Sequence, residues 1–328
     1  MNDLIVYGSA RVDAFMELPP DKAEQICKLD AKDCYIALSY ANKIPLKGVK
    51  FLVGGNGANV AVGTKRLGVD SLLAAELGEG PLSDFAKSEL SKELDMKFVS
   101  QTKGVDQGFG AVIVYQGERT ILSYYSPVEP PYPEGSCGAP WVYLTSVGEQ
   151  FETYFEKVYK DALTCKPKLV FNPSKRQIAK GADWLRKFLE ITEVLMVNKE
   201  EAESILSAQV NLQEPKQLLK ALVNLGPKKA VITDGRNGVF GTDGTDYYSC
   251  AIYPLEAVER TGAGDSFSAG CIAALIKGKD LRESLLWGTV NSASVVSYFG
   301  PQKGLLREGE MVDWLARAKS SGVKVEII

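Results

Sequence analysis

Histidine is absent from this sequence, and that gap removes several chemistries at once. Ser-His-Asp hydrolysis, His-activated cysteine chemistry and His-ligated zinc or haem all require an imidazole. Acid–base work therefore falls to carboxylates, Lys, Tyr or Cys. Cysteine is sparse as well: Cys27, Cys34, Cys137, Cys165, Cys250 and Cys271 form no C-x-x-C pair. Neither a zinc site nor a disulfide scaffold is indicated, and reduced, buried thiols of a cytoplasmic protein are the expectation. No apolar run approaches the roughly 20 residues of a membrane span, and a basic n-region followed by a long apolar h-region is lacking, so no membrane partner is expected. Charge of one sign is missing too, with 38 Lys and Arg against 41 Asp and Glu. That balance offers no basic face for a nucleic-acid backbone. What remains is a chain of 328 residues, 45% hydrophobic, long enough for about two domains or for one large α/β domain with an appendage.

Leu4 to Tyr7 reads as a short buried strand, and residues 11 to 18 alternate apolar and polar like a strand with one wet face. A helical-looking Lys22 to Leu29 precedes a strand-like Cys34 to Leu46. Phe51 to Gly57 then leads into a small-residue helix ending at Gly68, followed by a strand at Leu72 to Leu77. The runs Gly110 to Tyr115 and Arg119 to Tyr125, separated by Gln116, Gly117 and Glu118, predict a hairpin. With the strands near 11 to 18 and 34 to 46 it makes a small sheet outside the main one. Beyond Pro127 to Pro133, short apolar strands at Trp141 to Leu144, Lys168 to Asn172, Val194 to Val197 and Ala230 to Thr233 alternate with helical segments at 149 to 163, 179 to 190, 199 to 207 and 213 to 224. Three more helices follow near 265 to 276, 280 to 297 and 308 to 319. Such alternation implies a parallel sheet with helices on both faces, whose ligands bind beyond the carboxyl ends of the strands.

Two of the turns that follow strands carry the clearest chemistry. Thr261-Gly262-Ala263-Gly264-Asp265 opens an apolar helix. Its glycines leave N–H groups to point at an anion, the helix dipole adds positive character, and Asp265 supplies a carboxylate at the same spot. Alone, Asp265 is a first-turn acid favourable to the dipole. Together, the two features suit donors that hold a transferring phosphoryl group beside a base that takes the proton of the attacking hydroxyl. Gly54-Gly55-Asn56-Gly57-Ala58-Asn59 is a tight strand-to-helix turn in which Asn56 and Asn59 offer amides to hydroxyl groups. A rival reading takes Gly55-x-Gly57-x-x-Val60, with Glu76 downstream, as a dinucleotide fingerprint of an NAD(P)-binding Rossmann oxidoreductase. Val60 is wrong for the third glycine, and that reading leaves the Thr261 to Asp265 turn unexplained.

Asn198-Lys199-Glu200-Glu201 follows a strand, placing Asn198 and Glu201 one helical turn apart. By itself this is a helix cap with an acidic first turn, but the pair also suits orientation of a hydrated Mg²⁺. Thr233-Asp234-Gly235-Arg236-Asn237-Gly238 is a turn between strands that also suits a nucleotide.

Taken together, these residues resemble the ribokinase-like, or PfkB, carbohydrate kinases over most of the chain. Gly54-Gly55-x-Gly57-x-Asn59 with Arg66-Leu67-Gly68 is similar to the family's first signature, and Thr261-Gly262-Ala263-Gly264-Asp265-x-Phe267 to its second. Asn198-x-x-Glu201 resembles its magnesium-organising motif, and Thr233-x-Gly235-x-x-Gly238 its nucleotide segment. The resemblance implies a three-layer α/β/α domain (1–10, 51–107 and 128–328) with a small β lid (11–50 and 108–127). It implies ATP as the phosphoryl donor, Mg²⁺ held through water, and a hydroxyl of a small sugar or sugar-like molecule as acceptor. Asp265 then matches the catalytic base and Gly262, Ala263 and Gly264 the anion hole. Asp13, Gly55, Asn56 and Asn59 fall on the acceptor, Asn198, Thr233, Gly235, Gly238 and Asn291 on the nucleotide, and Asn198 and Glu201 on the metal through water.

Glu259-Arg260 stand where many members of the family have Asp-Thr beside a monovalent-cation site, which argues against potassium activation. Asn56 stands where ribokinases usually carry Lys, so ribose itself is not implied. A nucleoside kinase is the close alternative, with Phe15, Tyr35 and Tyr40 in the lid strands as stacking candidates. A phosphosugar acceptor would call on Arg11, Arg119, Lys175 or Arg176. An exposed edge of the lid sheet favours pairing with a second lid in a homodimer.

Overall fold

A computed structural model describes residues 2–27, 34–206 and 214–328. Its frame is a ten-stranded sheet ordered β16-β15-β14-β13-β12-β11-β10-β1-β6-β7, in which β1 (Leu4–Tyr7) lies third from one edge. On one side lie β6 (Ser71–Glu79) and β7 (Val99–Asp106). On the other run β10 (Trp141–Leu144), β11 (Lys168–Phe171), β12 (Thr192–Asn198) and β13 (Lys229–Thr233). All seven pair in parallel. Three antiparallel strands, β14 (Val239–Thr242), β15 (Tyr247–Cys250) and β16 (Val325–Ile327), complete one edge.

The two faces follow from the two-residue period of a strand. Leu4 and Val6 point into one core with α1 (Asn56–Arg66), α2 (Pro81–Leu90), α8 (Ala263–Ile276), α9 (Leu281–Val296) and α10 (Glu308–Ser320). Ile5 and Tyr7 point into the other, beneath α3 (Glu152–Cys165), α4 (Lys175–Ile178), α5 (Ala182–Glu190), α6 (Lys199–Leu206) and α7 (Pro215–Val223). Burial on both faces explains why these strands read as continuous apolar runs rather than alternating ones. The result is the expected three-layer α/β/α domain. Successive strands run one way from β1 through β6 and the other way from β10 onward, so the switch in strand order lies between β1 and β10, where open sheets of this kind take ligands.

A separate four-stranded sheet, ordered β5-β2-β8-β9, forms the lid from β2 (Arg11–Glu17), β5 (Gly48–Gly54), β8 (Phe109–Tyr115) and β9 (Glu118–Tyr124). The predicted hairpin is present as β8–β9. Segment Lys22 to Leu29 departs from expectation. Instead of a helix it contains β3 (Ala23–Cys27), antiparallel to β4 (Cys34–Leu38), in a two-stranded sheet of its own. Tertiary pairing overrides a weak local helical pattern here. Leu29, and residues 207 and 213 at the ends of two predicted helices, lie outside the described residues.

The cysteine expectation is also corrected. Cys27 and Cys34 are direct cross-strand partners joined by a disulfide, and Cys137 is paired with Cys165 at the end of α3. Cys250 and Cys271 are free and buried, as expected. Cysteine spacing along the chain carries no sign of either pair, because strand register and helix docking bring the partners together. Thiol titration tests this: unfolding without reductant should expose two alkylatable thiols, and unfolding after reduction should expose six. Six in both conditions would show that the pairs do not form.

Candidate active site

The turn between β5 and α1 enters the site through Gly55, at φ +100°. A Cβ there would stand 2.5 Å from the carbonyl oxygen of Ser9, so only glycine lets this turn press against the β1–β2 connection. Asn56 and Asn59 then sit on the first turn of α1, where the hydrogen bond that organises the site begins. Asn59 Nδ2 donates to Asp265 Oδ2 at 2.7 Å, while Gln302 Nε2 donates to Asn59 Oδ1 at 3.1 Å and fixes the amide's orientation.

Asp265 occupies the first turn of α8. Gly262 precedes the helix at φ +78°, and a Cβ there would lie 2.7 Å from that of Pro301. Ser266 N donates to the Gly262 carbonyl at 2.8 Å, and Ala263 N to that of Arg260 at 3.3 Å. Gly264 and Asp265, in the first turn of the helix, line the cleft, and a Cβ on Gly264 would meet nothing within 4 Å. That open space beside helix-start donors is room for an anion.

Desolvation at the floor of the cleft pushes Asp265 up to about 6 and nearby Asp13 raises it further, against the lowering effects of the Asn59 hydrogen bond and of Arg11. Such a carboxylate is ionised at neutral pH yet basic enough to take a proton. Asp13, on the inner face of β2, is 1% exposed and ion-paired with Arg11 at 2.8 Å, two residues away on the same face. Its pKa is raised because burial outweighs the guanidinium. Room for it comes from Gly54 and Gly110, where a Cβ would fall 2.4 and 2.1 Å from the carboxylate oxygens.

Asn198 and Thr233 are register partners at the carboxyl ends of β12 and β13. Asn198 and Glu201 cap the start of α6 reciprocally: Asn198 N donates to Glu201 Oε2 at 2.9 Å, and Glu201 N to Asn198 Oδ1 at 2.8 Å. Burial raises the pKa of Glu201. The cap does not remove the pair from the site, because Asn198, Glu201, Thr233, Gly264, Asp265 and Asn56 line one cavity of about 180 Å³. Thr233 and Gly264 also line a larger cavity of about 650 Å³ that includes Gly235, Gly238, Ala263, Ile252, Tyr253 and Val296. A polar cavity at the Asp265 carboxylate thus opens into a larger, mainly apolar one.

The site contains residues the sequence did not single out. Asn172, just past β11, lines the smaller cavity with its amide bonded to the Met196 carbonyl at 2.7 Å. Arg11 and Glu259, both named from the sequence on other grounds, act here on predicted residues: Arg11 pairs with Asp13, and Glu259 accepts from Thr261. A polar residue directly after a buried strand was the only available signal for Asn172. Asn291 is corrected: it is fully buried, donates to the Ser266 carbonyl at 2.7 Å and accepts from Leu306 N at 3.0 Å. Its amide ties α8 to α9, while Thr289, Ser292 and Ala293 of the same helix face the larger cavity. Phe15 is likewise buried, packed on Phe299 with ring centroids 5.0 Å apart.

Residues 23–307 match the family model described as pfkB family carbohydrate kinase. The chain belongs to the PfkB family of carbohydrate kinases, phosphotransferases whose acceptor is a hydroxyl group. It is 24% identical over 269 residues to the ribokinase of Bacillus subtilis, a match that spans 80% of this chain and 87% of that one. Its fold is shared with the ribokinase of Arabidopsis thaliana solved with ribose and ATP, at a TM-score of 0.76, 20% identity and coverage of 96% and 99% of the two chains. The nucleoside kinase of Methanocaldococcus jannaschii superposes at a TM-score of 0.74 with 20% identity, covering 96% of this chain and 98% of that one. The dinucleotide-fingerprint reading falls with these findings. Gly57 packs on Gly8, Val60 is buried, and Asn59 is spent on Asp265.

Replacing Asp265 with Asn keeps the shape and removes the base, so turnover should fall by at least about 10². The wild-type rate should fall as pH drops through about 6, and the residual rate of the variant should not follow that profile. Because the folded-state pKa is raised above 3.8, the ionised carboxylate costs stability that accrues as pH rises towards about 6. The variant should therefore melt no lower than wild type at pH 7 to 8. A lower melting temperature with near-normal turnover would reduce Asp265 to a helix-end charge.

Proposed function

We propose that this protein is an ATP- and Mg²⁺-dependent kinase that phosphorylates a hydroxyl of an uncharged sugar or sugar-like acceptor. The observation that carries this reading is Asp265 held by Asn59 at the head of α8, between a cavity sized for a nucleotide and the Asp13 side of the lid. The acceptor hydroxyl approaches Asp265, which takes its proton. The hydroxyl oxygen forms the new bond to the γ-phosphorus as the bond to the β-phosphate oxygen breaks, leaving ADP. The turn of Gly262, Ala263 and Gly264, at the head of α8, stabilises charge on the moving phosphoryl group. Adenosine is assigned to the larger cavity with Thr233, Gly235 and Gly238, and Asp13 to acceptor hydroxyls, with Gly55, Asn56 and Asn59 on the same side.

Among the described residues no group of three or more acidic or cysteine ligands is placed to hold a metal. This suits Mg²⁺, which keeps most of its waters and takes its other oxygens from phosphates. Asn198 and Glu201 would orient those waters, and the chemistry the ion would supply is positive charge beside the transferring phosphoryl group. Since Gln also completes a capping box, Glu201→Gln separates the two roles. It should raise the Mg²⁺ concentration needed for half-maximal turnover several-fold with an unchanged melting temperature. Unchanged Mg²⁺ dependence would leave Glu201 as a cap alone.

The state of the four candidate cations supports an uncharged acceptor. Arg11 is paired with Asp13, Arg119 lies 3.7 Å from Glu259, and Lys175 lies 3.6 Å from Glu200. Arg176 lies 3.8 Å from Glu149 and stacks over Tyr125. Each lies within 4 Å of an acid rather than standing alone for a substrate phosphate. Assays with ATP against sugars, their monophosphates and nucleosides should find the highest kcat/KM among the uncharged sugars, and a preference for the monophosphates would overturn this assignment. The lid's outer face exposes Val49, Phe51, Leu122 and Tyr124, which supports a homodimer formed lid to lid. Sedimentation should give twice the chain mass, and Phe51→Glu should return it to one.

A further inference from the structure

The segment that leads into the anion turn is held by the lid. Glu259 is 5% exposed, and its Oε1 accepts from Thr261 N at 2.6 Å and from Thr261 Oγ1 at 2.5 Å. Its other oxygen, Oε2, is buried without a hydrogen-bond partner. Arg119, at the start of lid strand β9, brings Nη1 to 3.7 Å from Glu259 Oε1 and donates from Nη2 to the Arg260 carbonyl at 3.2 Å. That same carbonyl accepts from Ala263 N, in the turn itself. One lid guanidinium therefore touches both the carboxylate that fixes Thr261 and the carbonyl that fixes Ala263.

We propose that Arg119 is a positioning residue, through which the place of the lid sets the shape of the Thr261 to Gly264 turn. A buried carboxylate next to a phosphate site is costly unless a cation faces it, and the near cation is supplied by the lid rather than by the catalytic domain. With the lid displaced, Glu259 loses its counter-charge, the Arg260 carbonyl loses a donor, and the turn that receives the phosphoryl group relaxes. The neighbouring pair of Arg260 and Glu118, at 3.1 Å, is exposed on both sides and screened by solvent. It serves as the control. The kinetic part of this inference rests on the kinase reading above; the part concerning the turn does not.

Two measurements test it. In substrate-free protein, hydrogen exchange of the Thr261 to Gly264 amides should be about fivefold or more faster in Arg119→Met than in wild type or in Glu118→Gln. With the acceptor found above, Arg119→Met should lower kcat by about tenfold or more with acceptor KM changed by less than about threefold. Arg119→Lys, which keeps the charge but not the fork, should fall between. Because Arg119 acts through Glu259, the double variant Arg119→Met/Glu259→Gln should lose less activity than the product of the single losses. Unchanged exchange overturns the proposal whether or not any acceptor is phosphorylated. A rise in acceptor KM alone, with kcat and exchange unchanged, also overturns it by making Arg119 an acceptor contact. If Arg119→Met fails to fold, exchange in Arg119→Lys decides.

Discussion

The hydrogen bond from Asn59 to Asp265 is the contact on which the site depends. It joins two helix starts 206 residues apart in sequence, one opening α1 and the other α8. Both helices pack on the same face of the sheet, against β1, so the two motifs meet only because the three-layer fold brings their helices side by side. A half-buried carboxylate without such a donor would resist ionisation more strongly, and one with several donors would be too weak a base. A single amide, itself held by Gln302, leaves Asp265 between those limits.

Charge in the cleft is arranged in the same economical way. Asp13 raises the cost of ionising Asp265, Glu259 raises that of Asp13, and Arg11 beside Asp13 offsets both. Farther along the lid, Arg119 faces Glu259. Asp13, Asp265 and Glu259 thus each face a lid cation, and the lid contributes electrostatics as well as cover. Burial makes these pairs matter, since exposed pairs of the same geometry contribute little.

Elements with a strong local pattern were legible: the apolar runs of β1 and β10, the β8–β9 hairpin and helices α8, α9 and α10 stand within a few residues of where the pattern put them. The three antiparallel edge strands and β7 were not read, because short, half-exposed strands carry weak patterns and depend on neighbours for their pairing. The segment 22 to 29 failed for a related reason: its apolar spacing is compatible with a helix, and only pairing with β4 makes it a strand. Asn291 shows the limit at the site. Its polarity in an apolar helix was a true signal of a special role, but a buried amide bridging two helices and an amide facing a ligand look alike in sequence.

What the sequence determined by itself is the chemistry. Glycines at 55 and 262, which alone tolerate the backbone angles and close approaches there, with Gly264, amides at 56 and 59 and a carboxylate at 265, suit an anion-holding turn with a base beside it. Tertiary structure decided which of those groups act on one another and which are already engaged. The pKa of Asp265, the cysteine pairs and the hold of Arg119 on the turn before α8 all arise between residues that folding brings together or buries. Burial and distance set electrostatic and hydrogen-bond energies, and neither exists until the chain has folded.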